Sequence, residues 1–154
     1  MGTVYSLPNE YIFKSIFLQK FAAFIEWPEP QSNSDTFIIG IYGDNSYHNI
    51  IEKVYADKSI KNKPVQIRYL SSPEEAKGCH MVIIAQANDD DLQYFLKLSQ
   101  QQGLLTIADI EEYVYKGAIL GFYKQSNETI RFSINKQAMQ SSPLHIKFML
   151  IEIA

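Results

Sequence analysis

"HMVIIAQANDDDLQYFLKLSQQQGLLTIAD", residues 80–109, holds a complete strand–helix–strand step. Residues 81–85 form an unbroken apolar run, too short for a core helix and apolar on both alternating sides, as a strand covered on two faces must be. Asp89, Asp90 and Asp91 stand where the positive end of the next helix favours acids, and Gly103 stands where that helix closes. "LLTIAD", residues 104–109, is again a short apolar strand. Two such strands joined by a helix make a parallel pair with a right-handed crossover.

The same alternation continues on both sides. Upstream, "TFIIGIYGDNS" (36–46) reads as a buried strand ending in a turn, and "YHNIIEKVYADKS" (47–59) as an amphipathic helix. "KPVQIRYL" (63–70) follows as a strand, with Val65, Ile67 and Tyr69 alternating against Gln66, Arg68 and Leu70. Within "SSPEEAKGC" (71–79), Ser72 caps a short helix, Pro73 takes its first position and Glu75 completes a capping box. Downstream, "GAILGFYKQSNETIRFSIN" (117–135) predicts two antiparallel strands across a "QSNE" turn, and Asn135 opens a capped helix that Pro143 ends. The last stretch, "LHIKFMLIEIA", fits a helix through Ile146, Met149, Leu150 and Ile153 and a strand through Ile146, Phe148 and Leu150, the helix being preferred. The expected fold is therefore α/β: a single domain with a mostly parallel sheet flanked by helices, and an antiparallel C-terminal hairpin at the sheet edge.

Before the first strand lies "EYIFKSIFLQKFAAFIE" (10–26), in which Phe13, Phe17, Phe21 and Phe24 recur at helical spacing. Ile12, Ile16, Ala23 and Ile25 make the remaining faces apolar, leaving Glu10, Lys14, Gln19, Lys20 and Glu26 to meet water before Trp27-Pro28 ends the helix. A helix this apolar needs cover on most sides. Phe17, Phe21, Phe24 and Trp27 are accordingly the candidate surface for docking a second chain, against the alternative that all four lie in the monomer's core. Residues 1–9 read as a lead left where an export signal has been removed, and 10–154 as the domain.

With 154 residues, 14 basic against 17 acidic side chains and no dense basic run beside exposed aromatics, the composition argues against nucleic-acid binding. The longest apolar stretches fall far short of the roughly 20 residues of a membrane span. Cys79 is the only cysteine, so no intrachain disulfide can form. Glycine-rich phosphate loops and the G-x-S-x-G elbow are missing, His48, His80 and His145 share no metal-ligand spacing, and Cys79 and His80, as strand neighbours, diverge. No catalytic residue, metal or cofactor is expected. One positional argument favours a small-ligand crevice: the carboxyl ends of parallel strands carry Asp44, Gln86 and Asp109, with Arg68 a little earlier as a cation. The same residues serve equally as caps and loop hydrogen-bonders.

Five segments in order, "EYIFKSIFLQKFAAFIEWP", "FIIGIYGDN", "NKPVQIRYLSSPEEAKGCHMVIIA", "LLTIAD" and "KGAILGFYKQSNETIRFSIN", resemble the YfiR-like family of exported bacterial regulators. That resemblance implies a non-catalytic periplasmic homodimer that binds the periplasmic sensor region of a membrane diguanylate cyclase, or of another membrane signalling protein, and represses cyclic-di-GMP output. A sensor domain that binds a small ligand is the alternative. Two departures stand out: the relatives' intrachain disulfides have no counterpart around Cys79, and "SSPLHIKFMLIEIA" matches weakly.

Overall fold

The chain is described by a computed structural model over residues 6–43 and 46–154. Helix α1 (Ser6–Ala23) opens it and leads into a two-residue strand β1 (Ile25–Glu26), then β2 (Phe37–Tyr42). Helix α2 (Ile50–Tyr55), the short β3 (Ser59–Ile60) and β4 (Lys63–Tyr69) follow, and a 3-10 turn (Pro73–Ala76) leads to β5 (Met81–Ile84). The second half runs α3 (Asp89–Gln102), β6 (Leu105–Ala108), α4 (Glu112–Lys116), β7 (Leu120–Lys124), β8 (Ile130–Ile134), α5 (Lys136–Ser141), β9 (His145–Ile146) and α6 (Phe148–Ile153).

Seven strands form one sheet in the order β3-β4-β2-β5-β6-β7-β8. From β4 to β7 every neighbouring pair is parallel, and an antiparallel strand closes each edge: β3 on β4, β8 on β7. The mostly parallel sheet with an antiparallel C-terminal hairpin is thus as expected. The local signals hold as well: Asp89, Asp90 and Asp91 open α3, Gly103 ends it at φ 77°, and the Glu75 carboxylate accepts the Ser72 N–H at 3.1 Å; Asn88, accepting the Asp91 N–H at 2.8 Å, is the cap.

Alternation along the strands splits the core in two. Ile39, Ile41, Met81, Ile83, Leu105, Ile107 and Phe122 face α1 and α2, whereas Val82, Ile84 and Ala108 face Leu92 and Phe95 of α3. Cys79 and His80 diverge accordingly: the thiol joins the α3 side, and the imidazole stacks on Phe37 at 4.4 Å on the α1 side.

The first helix begins at Ser6 rather than Glu10, and two further boundaries differ from expectation. The first helix stops at Ala23 rather than Glu26, because Ile25 and Glu26 pair antiparallel with Ile146 and His145. The C-terminal stretch, which fits helix and strand alike, uses both: β9 supplies that pairing and α6 follows it. A long-range ladder decided each end where local propensity could not.

Candidate functional site

At the carboxyl ends of β2 and β5 the backbones of Gly43 and Gln86 approach closely. Gly43 sits at φ +98°, and a Cβ there would lie 2.0 Å from the Gln86 carbonyl oxygen, so only glycine allows the approach. Asp44, one of the expected ligand residues, lies outside the described residues. Gln86 is exposed and Asp109, one step past β6, lies on the neighbouring strand end, its N–H donating to the Ile84 carbonyl at 3.0 Å.

Arg68 does not join them. Opposite Gly40 in the middle of β2, it turns to the α3 side, where its guanidinium donates to the carbonyls of Glu75 and Lys77 at 3.1 and 3.3 Å and approaches the Cys79 sulfur at 3.8 Å. It therefore holds the 3-10 turn at the entry to β5, on the opposite face of the sheet from Asp109. Burial pushes the Cys79 thiol up to about 11 despite this cation, which keeps it protonated and unreactive.

Asp109 has a partner from an unexpected quarter. The Lys14 ammonium lies 2.7 Å from its carboxylate and 2.8 Å from that of Glu10, and Lys124 of β7 reaches Glu10 at 2.6 Å. The Tyr47 hydroxyl donates to the same Asp109 oxygen at 3.2 Å, and the Tyr11 ring meets the Tyr47 ring edge-on at 4.9 Å. Lys14, read from sequence as solvent-facing, is buried. The available signal was its spacing: Glu10 and Lys14 stand at i and i+4 on a helix that has no polar side. Burial alone would lower the Lys14 pKa, but the Asp109 charge and hydrogen bond outweigh it and the net displacement is upward. For Glu10, burial pushes up, hydrogen bonds from Lys124 and Lys14 pull down, and the pull wins. This ion network pins the N-terminal half of α1 to the sheet.

With that side of α1 pinned, its aromatic residues divide. Phe21 and Trp27 are 1% and 7% exposed and lie in the core, as the alternative reading of these aromatics has it. The reason is the width of the sheet: Phe21 packs against Phe122 and Phe132 at 5.7 and 4.9 Å, and the Trp27 indole N–H donates to the His80 carbonyl at 2.9 Å. Phe17 and Phe24 are half-buried against the same cluster. The surplus apolar area lies elsewhere on the helix, where Ile12, Phe13 and Ile16 are 38%, 58% and 38% exposed in one contiguous stripe. Below Phe13 a groove of about 430 Å³ separates α1 from the β7–β8 hairpin.

His80 carries a prediction of its own. Its Nδ1 accepts the Ile38 N–H at 3.1 Å and its Nε2 donates to the Gln31 carbonyl at 2.8 Å, a pairing that only the neutral ring satisfies. Burial lowers its pKa, and the nearby Lys63 charge adds to that against the Gln31 hydrogen bond. Above the ordinary value of 6.5 the ring is neutral in both states and costs nothing; as pH falls below 6.5 the unfolded chain takes a proton that the folded chain resists, and stability declines until the folded pKa is reached. The unfolding temperature should therefore fall between about pH 7 and pH 5, and a His80→Asn variant, less stable throughout, should show a shallower slope. A wild-type protein with a flat profile over that range would contradict this assignment.

Among the described residues no helix is long and apolar enough to cross a membrane. The model of the YfiR/HmsC-like family matches residues 11–154. The match includes the C-terminal stretch "SSPLHIKFMLIEIA", where the resemblance is weak. No curated protein matches the chain.

Proposed function

Because the chain belongs to the YfiR/HmsC-like family, we propose that it is a homodimeric periplasmic repressor that docks on the periplasmic region of a membrane diguanylate cyclase and lowers cyclic-di-GMP synthesis. The family itself implies periplasmic regulation of diguanylate cyclase signalling. The observation that supports docking through α1 is the stripe of Ile12, Phe13 and Ile16, which stays exposed although the other side of the helix is fixed by Lys14 and Phe21. Apolar side chains held on a rigid helix bind with little ordering cost, the situation in which a few anchors dominate an interface.

The test is a paired Ile12→Ser/Ile16→Ser variant. Both positions are partly in water already, so stability should change by no more than about 1 kcal/mol. Capture of the cyclase's periplasmic region should weaken by about tenfold or more, and repression of cyclic-di-GMP in cells should weaken with it. A folded double variant that binds and represses like the wild type would remove α1 as the docking element.

A further inference from the structure

A hollow of about 220 Å³ lies at the amino ends of the parallel strands, the opposite end of the sheet from the expected crevice. Phe37 begins β2, Lys63 begins β4 and His80 precedes β5, and all three line it together with Trp27. The turn between β3 and β4, with Lys61 and Asn62 at φ 55° and 63°, brings Lys61 to the same hollow. Both lysine side chains are half-buried, which restricts where their ammonium groups stand.

The charges of the lining do not cancel. Lys61 is paired with Glu26 at 3.2 Å, whereas Lys63 makes no ion pair among the described residues. The Lys63 ammonium donates to the Ser32 carbonyl at 2.7 Å and reaches the Gln31 carbonyl only at 3.4 Å. That second carbonyl is already in use, since His80 Nε2 donates to it at 2.8 Å and the Ser34 N–H at 3.2 Å. An ammonium carries three donors, so Lys63 keeps one of them, and its whole charge, for what enters the hollow. We propose that the hollow binds a small organic monocarboxylate, with its carboxylate on Lys63, Lys61 alongside, and its body against the Trp27 indole. Two lysines against Glu26 leave one net positive charge in the lining, which a monoanion balances. A phosphate dianion would bring a second charge with nothing to meet it. A carboxylate held by ammonium donors makes the stronger kind of hydrogen bond. This site is separate from the α1 stripe and does not depend on the repressor reading.

Trp27 is the chain's only tryptophan, so its emission reports on the hollow directly. Titrated with sodium propionate at an ionic strength held constant with chloride, the wild type should show a saturable change in Trp27 emission, with its half-point in the millimolar range. Lys63→Met keeps the apolar stem, removes the charge and should weaken binding by about tenfold. That change also frees the Ser32 carbonyl, so Glu26→Gln is the companion variant. Its side chain is 59% exposed, and the substitution releases Lys61 from its counter-ion, which should tighten binding by about threefold. A damaged fold would not bind more tightly. Absence of a saturable change in the wild type would overturn the site. A change that is the same in the wild type, Lys63→Met and Glu26→Gln would be a general salt effect and would overturn it equally.

Discussion

Asp109→Ala should destabilise the protein by about 3 kcal/mol, measured by urea unfolding at neutral pH. The loss comes less from the missing bond than from what remains. Lys14 would keep its charge in a site where its side chain is 7% exposed, with Glu10 as its one remaining counter-ion among the described residues and Lys124 competing for that carboxylate. A buried charge stripped of a partner is among the costliest single changes a fold can suffer. The control is the second half of a double-mutant cycle: Lys14→Met/Asp109→Ala should be more stable than Asp109→Ala alone, because the stranded charge has gone and an apolar stem of similar length fills its place. Additive losses in the cycle would mean that the two groups do not sense each other. Acid and base should act on the same network from opposite sides. Glu10, held below its usual 4.5, adds stability that is present above that value and lost as pH falls through its folded pKa. Lys14, held above 10.5, adds stability that is present below that value and lost as pH rises through its own. Near neutrality the network is fully charged, so it works as a fixed strut, and the pH response in that range belongs to His80.

How far these features were legible in the sequence depends on the distance over which each is decided. Elements set within one turn or one strand were readable: the apolar run at 81–84, the acidic start and Gly103 close of α3, the Glu75 capping box and the hairpin across residues 125–129. Their signals are the residue's own backbone preference and its immediate neighbours. What was not readable was set by partners far along the chain. Nothing local marks Ile25 and Glu26 as strand, since their ladder is with residues 145 and 146. Lys14 looks like any helical lysine until Asp109, 95 residues away, is placed beside it. Arg68 sits near a strand end in sequence, yet strand alternation sends it to the face opposite Asp109, and it is spent on the carbonyls of a turn. The expected ligand crevice gathered residues by their place along the strands and took no account of the side of the sheet on which each one stands, so Arg68 and Asp109 do not meet.

The aromatic helix shows the same limit at its sharpest, and Phe21→Ala against Phe13→Ala measures it. Phe21→Ala should cost about 3–5 kcal/mol, since it opens a cavity among Phe17, Phe122 and Phe132, whose ring centres lie 4.9–5.9 Å from its own. Phe13→Ala, eight positions earlier on the same helix and 58% exposed, should cost under about 1 kcal/mol. In sequence the two are equivalent members of one spaced series. In the fold they are separated by the sheet's capacity to cover one side of a helix and no more. Comparable losses for the two would place Phe13 in the core and leave α1 without a free stripe, and docking through this helix would lose its basis. With the expected difference, partner binding lost on changing Phe21 would be traceable to unfolding, whereas binding lost at Ile12 and Ile16 in a stable protein would report the contact itself.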